Sequence, residues 1–189
     1  FYPNLFEYSF NRDNSDYIYK VEELAELRGK KYHGKKNHIN YVLKNYTYEY
    51  EEISAGNITE CHVVKDDWSE QKDSDSASVE TELGAVDLAL NHFEELGLTG
   101  GLIRIDGVVK AFTIGERLTQ DTFVTHIEKA DTEVRGLYPM INWQFAIHAL
   151  GNYTFVNREE DLGVEGLRKA KLSYQPEMIW NKYRAVLKA

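Results

Sequence analysis

Cysteine is nearly absent from this chain of 189 residues, which contains only Cys61. A single cysteine cannot form a disulfide within the chain, so a secreted scaffold held together by disulfides is excluded. No apolar run approaches the ~18 residues that a membrane-spanning helix requires, and the first residues carry no signal-peptide pattern. These absences predict a cytoplasmic protein without a membrane-spanning segment. Because the sequence starts at Phe1 rather than Met, we also expect it to be part of a longer polypeptide.

The spacings of common metal-binding and catalytic motifs are missing as well. Cys61 and His62 have no second pair at the spacing of a zinc site. His33 and His38 are separated by five positions, which does not align them on one helical face. The sequence contains no Ser-His-Asp arrangement, no P-loop and no catalytic cysteine motif. We therefore expect no metal site.

The positive charge that is present is concentrated in one stretch. The chain has 31 acidic residues against 22 Lys and Arg, which gives a net charge of −9. Residues 28–44, RGKKYHGKKNHINYVLK, hold six Lys and Arg and no acid, so −15 remains on the rest of the chain. Two explanations stay open. Lys30, Lys31, Lys35 and Lys36 contact a polyanion such as tRNA, or they dock on an acidic part of the protein outside this sequence. Docking is favoured, because basic runs are usually solvated and the chain as a whole is acidic.

Hydrophobic periodicity divides the chain into two parts. Residues 1–56 are predicted to form an N-terminal linker segment with a basic loop and a helical region, and residues 57–189 to form a domain. In that domain the pattern predicts a helix at 57–68, a polar flexible loop to residue 78, a helix at 78–93, three antiparallel strands between 101 and 131, a helix from Leu137, a strand at 153–157, a helix at 164–172 and a strand in the tail. Asp106-Gly107 predicts a tight hairpin turn. The order is typical of an α/β fold with a mixed, mainly antiparallel sheet flanked by helices.

Four stretches carry a resemblance to a known family. They are DNSDYIYKVEELAELRGKKYHGKKNHIN (13–40), HFEELGLTGGLIRIDGVVKAFTIGE (92–116), HIEKADTEVRGLYPMIN (126–142) and NREEDLGVEGLRKAKLSYQP (157–176). Together they resemble an uncharacterised bacterial family related to the C-terminal domain of phosphatidylglycerol lysyltransferases, which has the GNAT acyltransferase fold. The similarity to the lysyltransferases themselves is strongest around KAKLSYQP. Such proteins carry two GNAT-like halves in tandem, so the resemblance implies an N-terminal half as a partner outside this sequence.

The resemblance also implies an activity, the transfer of an acyl or aminoacyl group to an amine or a hydroxyl. Lysyltransferases and Fem-type enzymes take the group from aminoacyl-tRNA, and ordinary GNAT enzymes take it from acyl-CoA. The latter hold the CoA pyrophosphate on a Gly-rich loop at a helix N-terminus. The corresponding loop here, DTEVRGLYP, keeps Arg135 and Gly136 but has Tyr138 and Pro139 in place of a second glycine. Acyl-CoA is therefore the less favoured donor. The alternative function is a degenerate, non-catalytic GNAT-fold module that binds a ligand or a partner.

Candidate catalytic residues lie on the third strand of the meander. In the alternating pattern, His126 and Glu128 share one face, and either could act as the base in acyl transfer. An edge charge pair is the other explanation for these two residues. The resemblance places Lys171, in KAKLSYQP, near the transferred group.

Candidate substrate-binding residues surround the start of the helix at Leu137. Its free backbone N–H groups and the charge of Arg135 favour a small anion. The predicted pocket is lined by Glu128, Arg135, Gly136, Tyr138 and Lys171. Arg104 and Glu116, on the hairpin, are further candidates, although exposed strand positions are the commoner explanation for such residues.

Overall fold

The computed structural model describes residues 2–70 and 77–188. Its strands, in chain order, are β1 (Phe6–Phe10), β2 (Asp16–Lys20), β3 (Tyr48–Glu52), β4 (Thr99–Ile105), β5 (Val108–Arg117), β6 (Thr122–Ala130), β7 (Phe155–Asn157), β8 (Met178–Trp180) and β9 (Tyr183–Leu187). Its α-helices are α1 (Val21–Glu26), α2 (His33–Asn45), α3 (Ile58–Glu70), α4 (Ala77–Asn91), α5 (Leu137–His148) and α6 (Glu165–Leu172). Among these helices, none is long and apolar enough to cross a membrane.

One seven-stranded sheet dominates the fold, with the order β3-β4-β5-β6-β7-β2-β8. Only β6 and β7 are parallel neighbours, and helix α5 makes the crossover between them. The other neighbouring pairs are antiparallel. This arrangement confirms the predicted mixed, mainly antiparallel sheet. Strands β1 and β9 pair separately as a two-stranded ribbon.

Helices cover both faces of the β4–β6 meander. Leu102 and Phe112 point into a cluster with α3 and α4, whereas their sequence neighbours Ile103 and Ala111 point into a cluster with α2 and α5. Successive strand residues face opposite sides of a sheet. The continuous apolar character of these strands, without polar alternation, is therefore the result of burial on both faces.

The predicted turn between β4 and β5 is present. Asp106 has a φ of 49° and Gly107 a φ of 83°, as a two-residue hairpin turn with two left-handed residues requires. The predicted start of α5 at Leu137 is also present, with Pro139 in the first helical turn, where no backbone N–H is needed.

The division into a linker segment and a domain at residue 57 differs from the structure. β3 is an edge strand of the main sheet, and β2 lies between β7 and β8. Helices α1 and α2 pack on α5 in the same core. Residues 1–56 are thus part of the domain. Their pairing partners lie far away in the sequence, and local periodicity carries no information about such long-range pairs.

Two predicted loops are partly helical. The basic stretch forms a 3₁₀ turn at Lys30–Tyr32 followed directly by α2, so the helix starts earlier than expected. In the polar segment before α4, α3 extends to Glu70. The prediction of a flexible loop at 71–76 lies outside the described residues.

Candidate active site

The sheet opens between β6 and β7. The two strands pair only where Thr122–Val124 lies beside Phe155–Asn157, although β6 continues to Ala130. Beyond Val124, β6 has β5 on one side and, within the described part of the chain, no strand on the other. The sheet is therefore open on this side of β6, toward its end at Ala130.

A buried ion pair lies beside this opening. Glu128, on β6, accepts a hydrogen bond of 2.9 Å from Nη2 of Arg158, the first residue after β7. The two side chains are only 13% and 11% exposed. Nδ2 of Asn142, in α5, donates to the second Glu128 oxygen at 3.4 Å. Nη1 of Arg158 and Oδ1 of Asn142 are buried and have no hydrogen-bond partner among the described residues. The guanidinium also interacts with the Tyr174 side chain, and the Oδ1 acceptor of Asn142 is left without a protein partner among the described residues.

Aromatic rings and a lysine complete the cluster around this pair. The guanidinium carbon of Arg158 lies 4.8 Å from the centre of the Tyr174 ring and 5.7 Å from that of Tyr19. Nζ of Lys35, in α2, lies 3.7 Å from the Tyr174 ring centre. Burial, and then the nearby charge of Arg158, lower the pKa of Lys35 to about 8. We call Lys35, Glu128, Asn142, Arg158 and Tyr174 the central cluster. It is supplied by α2, β6, α5 and the segments that follow β7 and α6.

Lys171 has a different position from the one the resemblance implied. Its ammonium donates to the backbone carbonyls of Arg158, Glu159 (3.2 Å) and Glu160 (2.7 Å). Burial is the main cause that lowers the pKa of Lys171 to about 8. All three donors of the ammonium are used by one loop, so Lys171 shapes the loop that holds Arg158 rather than facing an open cleft.

A small cavity of about 230 Å³ lies at the N-terminus of α5. The structure brings Arg135, Gly136 and Tyr138 together there, as the sequence predicted, and adds Lys35 and His38 from α2. Glu128 and Lys171 were expected to line the same pocket. Glu128 lies in the central cluster, and Lys171 lies behind it on the loop of residues 158–160. Lys35 belongs to both places and connects the cavity to the central cluster.

Gly136 is required by this arrangement. Its φ is 91°, in the left-handed region. A Cβ atom at this position would lie 2.4 Å from the carbonyl oxygen of His38. Helix α2 therefore packs directly on the start of α5, and this leaves little room for a pyrophosphate there.

The side chains of His126 and Glu128 have different partners. The register between β5 and β6 shifts so that Ile114 faces Ile127 and Gly115 faces Thr125, which leaves His126 as an extra residue. Such a bulge interrupts the alternation of side chains, so the prediction of a shared face is wrong. His126 instead lies between Glu159 (2.8 Å) and Glu116 (3.1 Å). The hydrogen bond to Glu159 is the main cause that raises the pKa of His126.

The remaining predicted residues lie outside the central cluster. Arg104 forms a double ion pair with Glu51 and Glu60, at 2.7 and 2.6 Å. Lys31 pairs with Glu23 at 2.8 Å, and Lys30 and Lys36 are exposed. Of the four candidate lysines Lys30, Lys31, Lys35 and Lys36, only Lys35 reaches the central cluster.

Sequence reasoning missed Arg158, Asn142 and Tyr174. For Arg158 a signal existed, because it directly follows a predicted strand at the opening of the sheet. Tyr174 is one of 13 tyrosines, and nothing in its local sequence distinguishes it.

The comparisons with known proteins identify the family of this chain. A family model described as phosphatidylglycerol lysyltransferase, C-terminal, matches residues 1–186. The chain therefore belongs to this family, and its domain is a GNAT-like transferase domain. No curated protein matches the sequence.

Solved structures give the same result. A conserved protein of unknown function from Bacteroides thetaiotaomicron is 46% identical, with a TM-score of 0.93 over 98% of this chain and 64% of that chain. The C-terminal domain of a putative lysylphosphatidylglycerol synthetase from Agrobacterium fabrum has 15% identity and a TM-score of 0.70 over 99% of this chain and 63% of that chain. L-PGS from Bacillus licheniformis has 17% identity and a TM-score of 0.64 over 94% and 61%. This chain thus spans less than two thirds of each of these chains.

A tandem GNAT protein from the clavulanic acid biosynthesis pathway also matches, with a TM-score of 0.51 at 8% identity over 95% of this chain and 55% of that chain. At this identity the match concerns the fold alone, and it confirms the predicted GNAT-like architecture.

Proposed function

We propose that this domain transfers an aminoacyl group from aminoacyl-tRNA to an amine or hydroxyl acceptor, in the opening between β6 and β7. The observation that carries the proposal is the buried guanidinium of Arg158, held by Glu128 and sharing the Tyr174 ring with Lys35, with its Nη1 donor unmatched in the protein geometry. Donors fixed in a dry site stabilise developing negative charge far better than donors in water. Membership of the lysyltransferase family supports the same reaction class.

The chemistry assigns a role to each member of the central cluster. The acceptor oxygen or nitrogen attacks the ester carbonyl carbon of the aminoacyl group, and the carbonyl oxygen becomes an oxyanion. Nη1 of Arg158 donates to that oxygen, while Glu128 holds the guanidinium in place. The C–O bond to the ribose then breaks, and the ribose oxygen takes the proton that the acceptor has lost. Lys35, whose pKa of about 8 lies near neutrality, can carry that proton.

The start of α5 favours this donor over acyl-CoA. Pro139 lacks a backbone N–H, and the His38 carbonyl occupies space next to Gly136. A usual pyrophosphate cradle needs both the N–H groups and close access to the backbone. The cavity of about 230 Å³, with Arg135, Lys35 and His38 around it, suits one phosphate, such as that near the 3′ end of a tRNA.

Aminoacyl transfer by the complete polypeptide tests the proposal. Arg158→Gln removes the charge and the Nη1 donor, and should lower the transfer rate on the order of 10²-fold or more. Lys35→Gln should lower it on the order of 10²-fold. Lys36→Gln is the matched control, because Lys36 follows Lys35 on the same helix but is exposed. Equal rates for the Lys35 and Lys36 variants would contradict the assignment.

Titration calorimetry with acetyl-CoA tests the choice of donor. We expect no binding at micromolar concentrations. Micromolar binding that Arg135→Ala abolishes would instead identify an ordinary acetyltransferase.

One observation favours a second candidate, the non-catalytic binding module. Lys171 uses its three donors within the protein, so the cation that the resemblance placed near the transferred group is not available to a substrate. Under this alternative, the complete polypeptide binds aminoacyl-tRNA with an affinity that depends on Arg158, but it releases no free tRNA when an acceptor is added.

We further propose that the complete polypeptide contains an N-terminal GNAT-like half. The support is that the similar solved structures extend well beyond the matched region. The identity of that half has no bearing on the roles given to the central cluster.

A further inference from the structure

Two successive residues of the loop after β7 are held from strand β6. Glu128 binds the guanidinium of Arg158 in the central cluster. One residue further along the loop, Oε1 of Glu159 lies 2.8 Å from Nδ1 of His126. Among the side chains of residues 2–70 and 77–188, His126 is the one that forms a hydrogen bond with the Glu159 carboxylate. The carboxylate next to Arg158 is therefore fixed from β6.

The backbone of Glu159 adopts an uncommon conformation. Its φ is 55°, in the left-handed region that residues other than glycine rarely adopt. Its N–H donates to Oδ1 of Asn157 at 2.7 Å, and its carbonyl accepts from the N–H of Tyr17 at 3.2 Å. This conformation costs free energy, which the contact with His126 helps to offset. Because the chain turns at the residue next to Arg158, a change in the conformation of Glu159 would move the guanidinium.

A bulge in β6 directs His126 toward this loop. His126 is the extra residue in the register between β5 and β6. Gly115 lies opposite the bulge on β5, and a Cβ atom there would collide with the carbonyl oxygen of Val124. Bulges are frequent beside functional sites, where they redirect one side chain. The contact between His126 and Glu159 thus depends on a local feature of both strands.

The ring of His126 lies between two carboxylates from different elements. Nδ1 faces Glu159 on the loop at 2.8 Å, and Nε2 faces Glu116 on β5 at 3.1 Å. Carboxylates only accept hydrogen bonds, so both nitrogens donate, and only the protonated ring has two N–H groups. The nearest other charges have their own partners, since Glu128 binds Arg158 and Lys171 binds backbone carbonyls of the loop. The hydrogen bond to Glu159, above all, raises the pKa of His126.

We propose that protonated His126 is a positioning residue for Arg158, which fixes Glu159 and thereby holds the guanidinium in the place that aminoacyl transfer requires. A ring whose two nitrogens both donate has no lone pair to accept a proton, so this role differs from that of a base. Loss of the proton leaves one N–H group for two carboxylates, and Arg158 is then held less firmly. The effect on transfer rests on the proposed function, whereas the link between His126 and Arg158 does not.

Nuclear magnetic resonance of the complete polypeptide tests this link. With ¹⁵N-labelled arginine and ¹³C-labelled histidine, a pH titration follows the Nε–H group of Arg158 and the His126 ring separately. Arg158→Gln and His126→Gln identify the two signals. The Arg158 signal should show a step at the midpoint of His126, and His126→Gln should remove that step. Steps that arise from Lys35 and Lys171, both with a pKa of about 8, should remain.

Glu116→Gln moves the His126 midpoint without changing the loop. Glu116 contacts the ring from β5, so its replacement removes one of the two carboxylates that favour the protonated ring. The His126 midpoint should fall, and the Arg158 step should fall by the same amount. His92→Gln is the matched control, because His92 pairs with Glu95 at 2.9 Å after the end of α4, and it should leave the Arg158 signal unchanged. An Arg158 titration that is the same in the parent and in both the His126 and Glu116 variants would overturn the inference.

Transfer rates separate this inference from the proposed function. At about pH 6, where the ring is protonated, His126→Gln should lower kcat on the order of tenfold and leave KM for aminoacyl-tRNA unchanged within about twofold. At about pH 8.5 the two kcat values should approach each other, because the parent has lost the proton. If Arg158→Gln abolishes transfer but His126→Gln has no effect at either pH, the proposed function stands and the inference fails. If the parent transfers nothing while the Arg158 step still follows His126, the proposed function fails and the link stands.

Discussion

At the scale of single residues, Gly136 shows how closely the candidate site is packed. Any other residue at this position would have to keep a φ of 91°, in the left-handed region that favours glycine. Its Cβ atom would also lie 2.4 Å from the His38 carbonyl oxygen. We expect Gly136→Ala to lower the free energy of unfolding by about 2–4 kcal/mol, as measured by urea denaturation. Gly84→Ala is the control, since Gly84 lies within α4 with open space around it. That variant should be more stable by about 0.5–1 kcal/mol, and equal losses for both variants would contradict the packing.

His126 predicts a pH dependence of stability. Its carboxylate partners Glu159 and Glu116 raise its folded pKa above the ordinary value, which is about 6.5. The interaction of protonated His126 with the two carboxylates therefore stabilises the fold fully below the unfolded histidine pKa. This stabilisation is lost as the pH rises through the raised pKa of the folded protein. The difference in unfolding free energy between the parent and His126→Gln should shrink on going from about pH 6 to about pH 8. His33→Gln, at an exposed position, should follow the parent, and a difference that grows with pH would refute the sign.

Among single residues, the sequence indicated some of the groups that the structure brings together. Glu128, Arg135 and Lys35 were candidates from their surroundings in the sequence; the structure places Glu128 and Lys35 in the central cluster and Arg135 at the cavity beside α5. Arg158 was missed because its importance depends on a desolvated pairing across the sheet. Burial and a missing hydrogen-bond partner cannot be read from sequence spacing.

At the scale of elements, Arg158 is held in position by the loop between β7 and α6, to which it belongs. Asp161 is fully buried and accepts hydrogen bonds from Arg168, from the backbone N–H of Gly163 and from the Tyr17 hydroxyl, the last at 2.5 Å. The hydrogen bond from Arg168 is the main cause that lowers the pKa of Asp161. The stability it gives is present above the unfolded carboxyl pKa of about 3.9 and is lost as the pH falls below it.

We expect Asp161→Asn to destabilise the fold by roughly 1–3 kcal/mol, because the buried carboxylate loses its charged hydrogen bonds to Arg168, although Arg168 keeps its ion pair with Asp13. Thermal unfolding measures the loss. Asp66→Asn disturbs only a surface ion pair with Lys65 and should change the stability by less than about 1 kcal/mol. If Asp161→Asn also lost less than about 1 kcal/mol, the loop would not depend on this carboxylate.

The elements themselves were predictable where their signals are local. Helix α4, the Asp106-Gly107 hairpin and the start of α5 follow from periodicity, turn chemistry and proline geometry. The bulge at His126 and the position of β2 do not, because both are set by pairing with strands distant in the sequence. The sequence pattern did not predict that α2 starts at His33, because the first turns of this helix are basic and carry no apolar periodicity.

At the scale of the whole molecule, the basic stretch is the feature most open to test. Lys31 is held by Glu23, and Lys35 is turned toward the central cluster, which leaves Lys30 and Lys36 exposed. If this surface contacts tRNA phosphates, replacing both with Gln should weaken binding and reduce the slope of log K against log salt by roughly 1.5. Filter binding at several salt concentrations gives that slope. Lys169→Gln, on exposed α6, should leave it unchanged, and no change for the double variant would favour docking on another part of the protein.

The position of β2 between β7 and β8 has a consequence for the order of folding during synthesis. β2 is synthesised before both of its neighbours in the sheet, since Ile18 pairs with Asn157, 139 residues later, and with Met178, 160 residues later. Until then both edges of β2, with Tyr17 and Tyr19, have no partner strand, and unpaired edges of this kind recruit other chains. The nascent chain therefore carries unpaired strand edges until β7 and β8 have been made, and its yield should depend on chaperones during that interval.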